Sequence, residues 1–227
     1  PRVNHIVTVD NLLGNQLSKF NDVTVIPNYP TVNDFPLLKK EKMNDEINLL
    51  YVGGLTEERG LRVMIEAFKI IKSQINAKLT LVGGFYDEKL EKWATDFDER
   101  NGLGINWCGW VNYQDLAPHF SKATIGLCLL QNQERYDRAI STKIYEYLIM
   151  GIPVLSSNGY LVEKLIERGK CGKAVDATKV QDVADGIMEL LNDNELDKRS
   201  ANHLNYAREK FVWERREENL LKVVNKL

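Results

Sequence analysis

The first residues whose types and spacing could do chemistry lie in the segment VGGLTEERGL, residues 52–61. Gly53 and Gly54 would let the backbone come close to a ligand, and a helix beginning near Arg59 would direct its free N–H groups at an anion such as phosphate. The segment matches neither the dinucleotide-binding pattern G-x-G-x-x-G nor a P-loop ending in G-K-[ST]. A tight turn with a solvated Arg59 is the alternative interpretation, and the second glycine pair, residues 83–84, is interpreted as such a turn.

A second candidate site lies at the beginning of a helix predicted over residues 142–150. Ser141 is the expected N-cap residue of this helix, and Gly151 is the expected C-cap residue. Ser141, Thr142 and Lys143 would then lie at the positive end of the helix. Because anions are stabilised at such an end, these residues are candidates for binding one.

Glu146 is the only acidic residue of the same predicted helix, and its helical neighbours are otherwise apolar or aromatic apart from Lys143. A buried carboxylate is costly unless a hydrogen-bond donor partners it. Two interpretations are open. Lys143, three residues earlier, could pair with Glu146 on the helix surface, or Glu146 could accept hydrogen bonds from the hydroxyl groups of a ligand.

A regular alternation of strands and helices must position these residues. Short apolar runs bounded by Gly, Pro or Ser predict buried strands over residues 47–53, 77–83, 104–109, 123–130 and 152–157. Apolar residues between the runs recur at intervals of three and four, which indicates helices. This alternation predicts an α/β fold with a doubly wound parallel sheet. Such a sheet binds its ligand beyond the carboxyl ends of the strands, where both candidate sites lie.

Length and composition exclude several classes of protein. The 227 residues predict one domain and a fragment at roughly 150 residues per domain. The 30 basic and 32 acidic residues nearly cancel, and 44% of the residues are hydrophobic, so disorder and a polybasic nucleic-acid-binding arm are not expected. No apolar run reaches the roughly 18 residues of a membrane-spanning helix. The chain begins at Pro1 without a leader, which suggests an internal piece of a longer polypeptide.

The remaining candidate residues favour structural roles. Three widely spaced cysteines (Cys108, Cys128 and Cys171) form no recognisable disulfide or metal-binding pattern, which favours a reducing cytoplasm. The histidines (His5, His119 and His203) have no metal-ligand spacing and are interpreted as solvated or core residues. The basic cluster near the end of the chain (Arg208, Lys210, Arg215 and Arg216) is interpreted as a solvated helix face because acidic residues are interspersed. Trp107 is interpreted as a packing residue.

Several segments, in their order along the chain, resemble the carboxyl-terminal domain of the retaining glycosyltransferases grouped as glycosyltransferase family 4. They include INLLYVGGLTEERGLRVMIEAFKII, INWCGWVNYQDLAPHFSKATIGLCLL and STKIYEYLIMGIPVLSS. The resemblance covers residues 47–227, and the segments VNHIVTVDNLLGNQL and VTVIPNYP resemble the end of that family's first domain. It implies a Rossmann-like sheet that forms the carboxyl-terminal half of a GT-B fold.

The resemblance also implies a division of the chain. Residues 1–30, with a strand over 6–10, a helix over 11–20 and a strand over 23–27, would be the tail end of an amino-terminal acceptor domain. Residues 31–46 would be the interdomain linker and residues 47–210 the donor nucleotide-sugar-binding domain. Residues 211–227 would form a helix that packs back toward the first domain.

In the family, a glycine-rich turn with Arg and Lys grips the diphosphate of the donor. Here that turn carries Gly53, Gly54, Leu55 and Arg59; Gly54 stands where the family has Arg, and Arg59 where it has Lys. The Arg59 guanidinium could still bind a phosphate through two hydrogen bonds. The turn containing Gly109, Trp110 and Val111 is expected near the nucleobase, which its backbone groups would recognise.

Glu146 corresponds to the second of the family's two paired glutamates and is expected to bind the ribose. The first of the pair falls on Arg138, so the pair is broken, and Asp137 or Glu134 could replace the missing acid. We hypothesise that Arg138, Lys143 and the N–H groups near Ser141 and Thr142 supply the positive charge that Gly54 does not.

The implied function is transfer of a sugar from a UDP-, GDP- or ADP-sugar to a glycan or lipid-linked acceptor, with retention of anomeric configuration. Arg59 and Lys143 would stabilise the diphosphate leaving group as charge develops on it. No cofactor, metal ion or nucleic-acid partner is expected. The implied setting is bacterial polysaccharide biosynthesis in the cytoplasm, with peripheral contact at the inner face of the membrane. The alternatives are a sugar-nucleotide epimerase of the same fold and a non-catalytic domain that has lost donor binding.

Overall fold

The computed structural model describes residues 3–37, 46–131 and 140–225. The first of these ranges contains a small unit made of β1 (Ile6–Thr8), α1 (Asn11–Leu17) and β2 (Val23–Val25), whose two strands pair in parallel. Asp10 begins the helix because its carboxylate accepts a hydrogen bond from the Leu13 N–H at 2.7 Å. All three elements were predicted, and each is shorter than expected.

A six-stranded sheet forms the main body of the protein. Its strands are β3 (Ile47–Val52), β4 (Ala77–Val82), β5 (Asn106–Gly109), β6 (Ile125–Cys128), β7 (Val154–Ser157) and β8 (Gly172–Val175). The order is β5-β4-β3-β6-β7-β8, and every neighbouring pair is parallel. The order changes direction at β3, so the sheet is doubly wound, as predicted. The edge strand β8 was not predicted because three of its four residues are only partly buried and the strand is short.

Helices cover both faces of the sheet. They are α2 (Leu61–Lys72), α3 (Glu88–Asn101), α4 (Ala117–Ser121), α5 (Thr142–Ile149), α6 (Tyr160–Gly169), α7 (Val180–Leu191), α8 (Leu196–Lys210) and α9 (Glu217–Val224). Leu49 faces a core shared with α2, α3 and α7, whereas the next residue, Leu50, faces a core shared with α4, α5, α6 and α8. Successive side chains of a strand point to opposite faces, so these continuous apolar runs serve two cores.

Tyr147 fastens α5 to the centre of the sheet. Its ring is fully buried, and its hydroxyl lies 3.1 Å from the carbonyl oxygen of Leu50 and 3.3 Å from that of Leu127. A side chain at Gly126 would collide with this ring, since a Cβ there would lie 2.5 Å from Cγ of Tyr147. The helix that carries the candidate residues is therefore held rigidly against β3 and β6.

Two helix ends differ from the expectation. The helix expected to begin near Arg59 begins at Leu61, because Gly60 adopts a left-handed φ of 79° and Arg59 belongs to a short 3-10 helix, Glu57–Arg59. Ser141 is the N-cap residue of α5, as predicted, although its side chain makes no capping hydrogen bond. The C-cap residue of α5 is Met150 rather than Gly151.

Residues 31–37 of the predicted linker pack against the main body of the protein. Phe35 is completely buried, with its ring 5.1 Å from that of Phe120 and 5.3 Å from that of Tyr113. Arg208 donates hydrogen bonds to the carbonyl oxygens of Phe35 and, at 2.8 Å, Ile149. The interpretation of Arg208 as part of a solvated face is therefore wrong, because its guanidinium satisfies carbonyl groups that helix α5 and residues 31–37 leave unpaired.

The carboxyl-terminal segment contacts the same stretch of chain. The Trp213 N–H donates to the carbonyl oxygen of Pro30 at 2.9 Å, and the Val32 N–H donates to the Glu214 carboxylate at 2.8 Å. Lys210 and Arg215 are exposed, whereas Arg216 is partly buried beside the Tyr29 ring. The proposed domain bounds at residues 30, 46 and 210 stay predictions.

The residues assigned to packing do pack. Cys128 and Cys171 are buried and Cys108 is partly buried, all three as free thiols. The Trp107 indole N–H donates to the Asp98 carboxylate at 2.8 Å, and His5 lies 2.9 Å from the Thr24 hydroxyl. No helix in the described ranges is long and apolar enough to cross a membrane.

His203 is expected to make the stability of the fold depend on pH. It is 4% exposed, and within the described ranges its Nε2 atom has no hydrogen-bond partner. Burial lowers its pKa, so the unfolded chain binds a proton more readily than the folded protein. We expect the free energy of unfolding, measured with urea, to decrease progressively as the pH falls below about 6.5, which is the pKa of an unperturbed histidine.

The matched variant is His203→Gln, which removes this titration. Burial also lowers the pKa of His119, which contributes in the same direction and is retained in both proteins. The stability difference between wild type and variant should therefore change between pH 7.5 and pH 5.5. A difference that is constant over this interval would contradict the assignment.

Candidate functional site

A cleft of about 210 Å³ opens beyond the carboxyl ends of β3 and β4. It is lined by residues from the turns after β3, β4 and β5 and from the beginning of α5: Val52, Gly53, Val82, Gly83, Trp110, Val111, Tyr113, Leu116, Thr142, Lys143 and Glu146. Both segments that the sequence marked as candidate sites therefore contribute to one cleft. Its position is the one at which doubly wound sheets bind their ligands.

The floor of the cleft is main chain from two glycine turns. Gly53 and Gly83 have φ values of 139° and 148°, which L-residues with a side chain rarely adopt. A Cβ at Gly83 would lie 1.9 Å from the Gly53 carbonyl oxygen. The two turns can pack this closely only because neither carries a side chain. The interpretation of residues 83–84 as a turn alone missed that Gly83 lines the cleft.

Trp110 lines the cleft, and the exposed ring of Tyr86 packs against it. A Cβ at Gly54 would lie 2.6 Å from the Tyr86 ring, and a Cβ at Gly84 would lie 2.0 Å from the Trp110 indole nitrogen. The two rings meet edge to face, with their centroids 5.6 Å apart. A side chain at Gly54, where the resemblance expects Arg, would therefore have to displace the ring of Tyr86.

Arg59, from the 3-10 helix after β3, and Lys143, from α5, converge on Gly53 although they are distant in the sequence. The position that a Cβ of Gly53 would occupy lies 2.9 Å from Lys143 Nζ and 3.0 Å from Arg59 Nη1. Burial lowers the pKa of Lys143, and the nearby charge of Arg59 is the second cause that lowers it. Neither cation forms an ion pair within 4 Å in the described ranges. Two partly dehydrated positive charges at one place favour a multiply charged anion.

Glu146 lies on α5, three residues after Lys143, lines the same cleft and is 7% exposed. Its Oε1 atom accepts a hydrogen bond from the Tyr113 hydroxyl at 3.1 Å. Burial raises the pKa of Glu146, while the charge of Lys143 and the hydrogen bond from Tyr113 oppose this rise. Glu146 is thus not part of an exposed pair on a helix surface, and one of its oxygens has no side-chain donor among the described residues.

The other expected site residues lie around these three charged residues or outside the described part of the chain. Thr142 and Val111 line the cleft, and Ser141 begins α5 beside it. Gly109, with a φ of 65°, accepts a hydrogen bond from the Gly83 N–H at 2.8 Å and so ties β5 to the glycine floor. Three further candidates, Glu134, Asp137 and Arg138, lie outside the described residues.

Tyr113 is a cleft residue that the sequence did not reveal. It lies in a short 3-10 helix, Tyr113–Asp115, and reaches Glu146 across 33 positions of sequence. The only signal was its place two residues after Val111, just beyond the turn assigned to nucleobase binding. No group of three or more His, Cys, Asp or Glu side chains that could hold a metal ion occurs in the part of the chain that the structure describes.

The fold is a Rossmann-like doubly wound sheet with a cleft at the carboxyl ends of its strands. Comparison with known proteins identifies the family. The family model described as "Glycosyl transferases group 1" matches residues 36–210. This chain belongs to that family, and the resemblance seen in the sequence is confirmed. It is similar in structure to the carboxyl-terminal part of GT-B glycosyltransferases.

Two relatives illustrate how distant the matches are. Spore coat protein SA of Bacillus subtilis is 25% identical over 201 residues, which cover 82% of this chain and 52% of the relative. GDP-mannose-dependent alpha-(1-6)-phosphatidylinositol monomannoside mannosyltransferase of Mycobacterium tuberculosis is 24% identical over 163 residues, which cover 70% and 42%. The chain thus spans about half the length of the curated relatives it matches.

Solved structures agree on the fold. Anabaena Alr3699/HepE in complex with UDP matches with a TM-score of 0.81 and 14% identity, covering 99% of this chain and 64% of that one. Sucrose-phosphate synthase from Thermosynechococcus elongatus matches with a TM-score of 0.78 and 17% identity, covering 99% and 58%. At these identities the likeness establishes the shared architecture alone.

Proposed function

We propose that this chain supplies the donor site of a retaining glycosyltransferase and binds a nucleoside diphosphate sugar in the cleft. The proposal rests on the convergence of Arg59 and Lys143 at Gly53, in the cleft that the buried Glu146 also lines. A nucleoside diphosphate carries both features that this arrangement needs: a multiply charged anion for the cations, and ribose hydroxyls for the carboxylate. The UDP in the complex of Anabaena HepE supports this choice of ligand.

The same residues would take part in the reaction. When the bond between the sugar and the diphosphate breaks, negative charge develops on the leaving group. Arg59, Lys143 and the free N–H groups at the beginning of α5 would stabilise that charge, and they are already in place before the reaction begins.

The proposal extends to the donor, the acceptor and the setting of the reaction. We infer a UDP-, GDP- or ADP-hexose as donor, and a glycan or lipid-linked acceptor held largely by an amino-terminal domain. The name of the mycobacterial relative, which includes GDP-mannose and a phosphatidylinositol acceptor, supports both inferences. In this proposal the chain by itself binds the donor without turning it over, and the whole enzyme acts in the bacterial cytoplasm in polysaccharide assembly, in peripheral contact with the membrane.

Calorimetric titration with UDP, GDP and ADP tests the donor site directly. We expect one of the three nucleotides to bind. Glu146→Ala should weaken the binding of that nucleotide by about 10- to 100-fold, since a hydrogen bond to a charged group contributes roughly 1.5–3 kcal/mol. Glu91→Ala is the matched control, because Glu91 is an exposed carboxylate on α3. Equal weakening by both substitutions, or no binding of any nucleotide, would contradict the proposal; the second result would favour a domain that has lost donor binding.

A further inference from the structure

Tyr113 is the one side chain that donates a hydrogen bond to Glu146 in the described ranges, with its hydroxyl 3.1 Å from Oε1. The two residues come from different elements, the turn after β5 and the helix α5, and meet in the cleft. Tyr113 is 44% exposed, so its position is not fixed by burial alone. Its ring stands edge-on to that of the fully buried Phe35, which holds it toward the cleft.

In this hydrogen bond Tyr113 is the donor and Glu146 is the acceptor. Burial and the neighbouring charge of Glu146 raise the pKa of Tyr113, so the phenol keeps its proton and acts as the donor. Glu146 is the acceptor, and a donated hydrogen bond favours its charged form over its protonated form. A carboxylate has two oxygens and about four acceptor positions. The hydrogen bond from Tyr113 occupies one of them and leaves Oε2 for a second donor.

We propose that Tyr113 is a positioning residue for the donor nucleotide: its hydroxyl holds the Glu146 carboxylate by one oxygen and leaves the other for the ribose hydroxyls. This inference rests on the proposed function of the cleft. It adds a residue that touches the ribose-binding carboxylate from outside helix α5, and it makes nucleotide binding depend on the turn after β5. Tyr113 acts here through Glu146 and takes no part in the transfer itself.

The test removes only the hydroxyl. Tyr113→Phe keeps the ring and therefore the packing against Phe35. With the nucleotide that the wild type binds among UDP, GDP and ADP, we expect about three- to tenfold weaker binding at pH 7 in calorimetric titration, the range for one net hydrogen bond. Tyr206→Phe is the matched control, because Tyr206 is also 44% exposed but lies on α8.

A pH profile separates positioning from packing. Without the Tyr113 hydroxyl, the pKa of Glu146 should rise further, so the carboxylate becomes protonated at a higher pH. The affinity of Tyr113→Phe should therefore begin to fall at higher pH than that of the wild type. In the Glu146→Gln background, Tyr113→Phe should change affinity less than twofold. An unshifted profile, or the same loss in both backgrounds, would overturn the inference while leaving the donor site intact.

A second readout does not require a nucleotide. The side-chain carboxyl carbon of Glu146 can be followed by NMR during a pH titration of protein labelled with ¹³C-glutamate, and its signal is the one lost in Glu146→Gln. Its midpoint should move to higher pH in Tyr113→Phe and stay in place in Tyr206→Phe. An unmoved midpoint would overturn the inference. Failure of the wild type to bind any of the three nucleotides would overturn the proposed function instead.

Discussion

Replacing Arg59 and Lys143 together by Ala is expected to weaken nucleoside diphosphate binding by at least about a hundredfold. Each cation would make a charge-assisted hydrogen bond to the diphosphate, and such bonds contribute roughly 1.5–3 kcal/mol each. The effect should be large because both cations are partly removed from water and lie beside the same point, Gly53. Calorimetric titration of the double variant with the nucleotide that the wild type binds measures it.

The same double variant should be at least as stable as the wild type in the absence of nucleotide. The charge of Arg59 and burial both disfavour the charged form of Lys143, so the two side chains cost stability until an anion arrives. We therefore expect an unchanged or higher Tm without ligand together with a large loss of affinity. A lower Tm, or an equal loss of affinity for the unphosphorylated nucleoside, would contradict a diphosphate role. Lys92→Ala, which alters an exposed lysine on α3, is the control for net charge.

Replacing Phe35 by Ala is expected to destabilise the protein by about 3–5 kcal/mol, the usual cost of removing a buried phenylalanine ring. Phe35 is completely buried although it lies in a segment that reads as a linker, and it contacts the rings of Phe120 and Tyr113. Urea denaturation gives the free energy of unfolding, and its slope shows whether the transition stays two-state.

Leu37→Ala provides the control, two residues further along the same segment. Leu37 is 56% exposed, and its replacement should change the free energy of unfolding by no more than about 0.5 kcal/mol. If Phe35→Ala costs less than about 1 kcal/mol, residues 31–37 do not pack against the main body as described. A large loss at both positions would point to a general effect of the segment rather than to the ring.

The central strands could be predicted because each is a short apolar run that is buried on both faces. The same reasoning failed for β8, where Lys173 interrupts the pattern at the edge of the sheet. Glu146 could be found because one acid in an apolar helix is conspicuous by itself. The local sequence pattern was sufficient for prediction wherever the neighbours of a residue belong mainly to its own helix or strand.

Contacts between distant parts of the chain could not be predicted. Nothing in the local sequence places the Tyr113 hydroxyl beside Glu146, or the ends of Arg59 and Lys143 beside Gly53. Arg208 was misjudged for the same reason, since its charge pattern resembles a solvated face and its partners are carbonyl groups of distant segments. Such contacts depend on how the helices pack against the sheet, which the local sequence does not specify.

The glycine floor of the cleft constrains how this protein can evolve. A side chain at Gly83 would have to displace the main chain at Gly53, so substitutions at Gly83 are expected to disrupt the floor. Tyr86 and Trp110 are 70% and 68% exposed, and their outer faces have room for other residues. Substitutions at these two aromatic residues are therefore expected to be tolerated more readily than substitutions in the glycine turns.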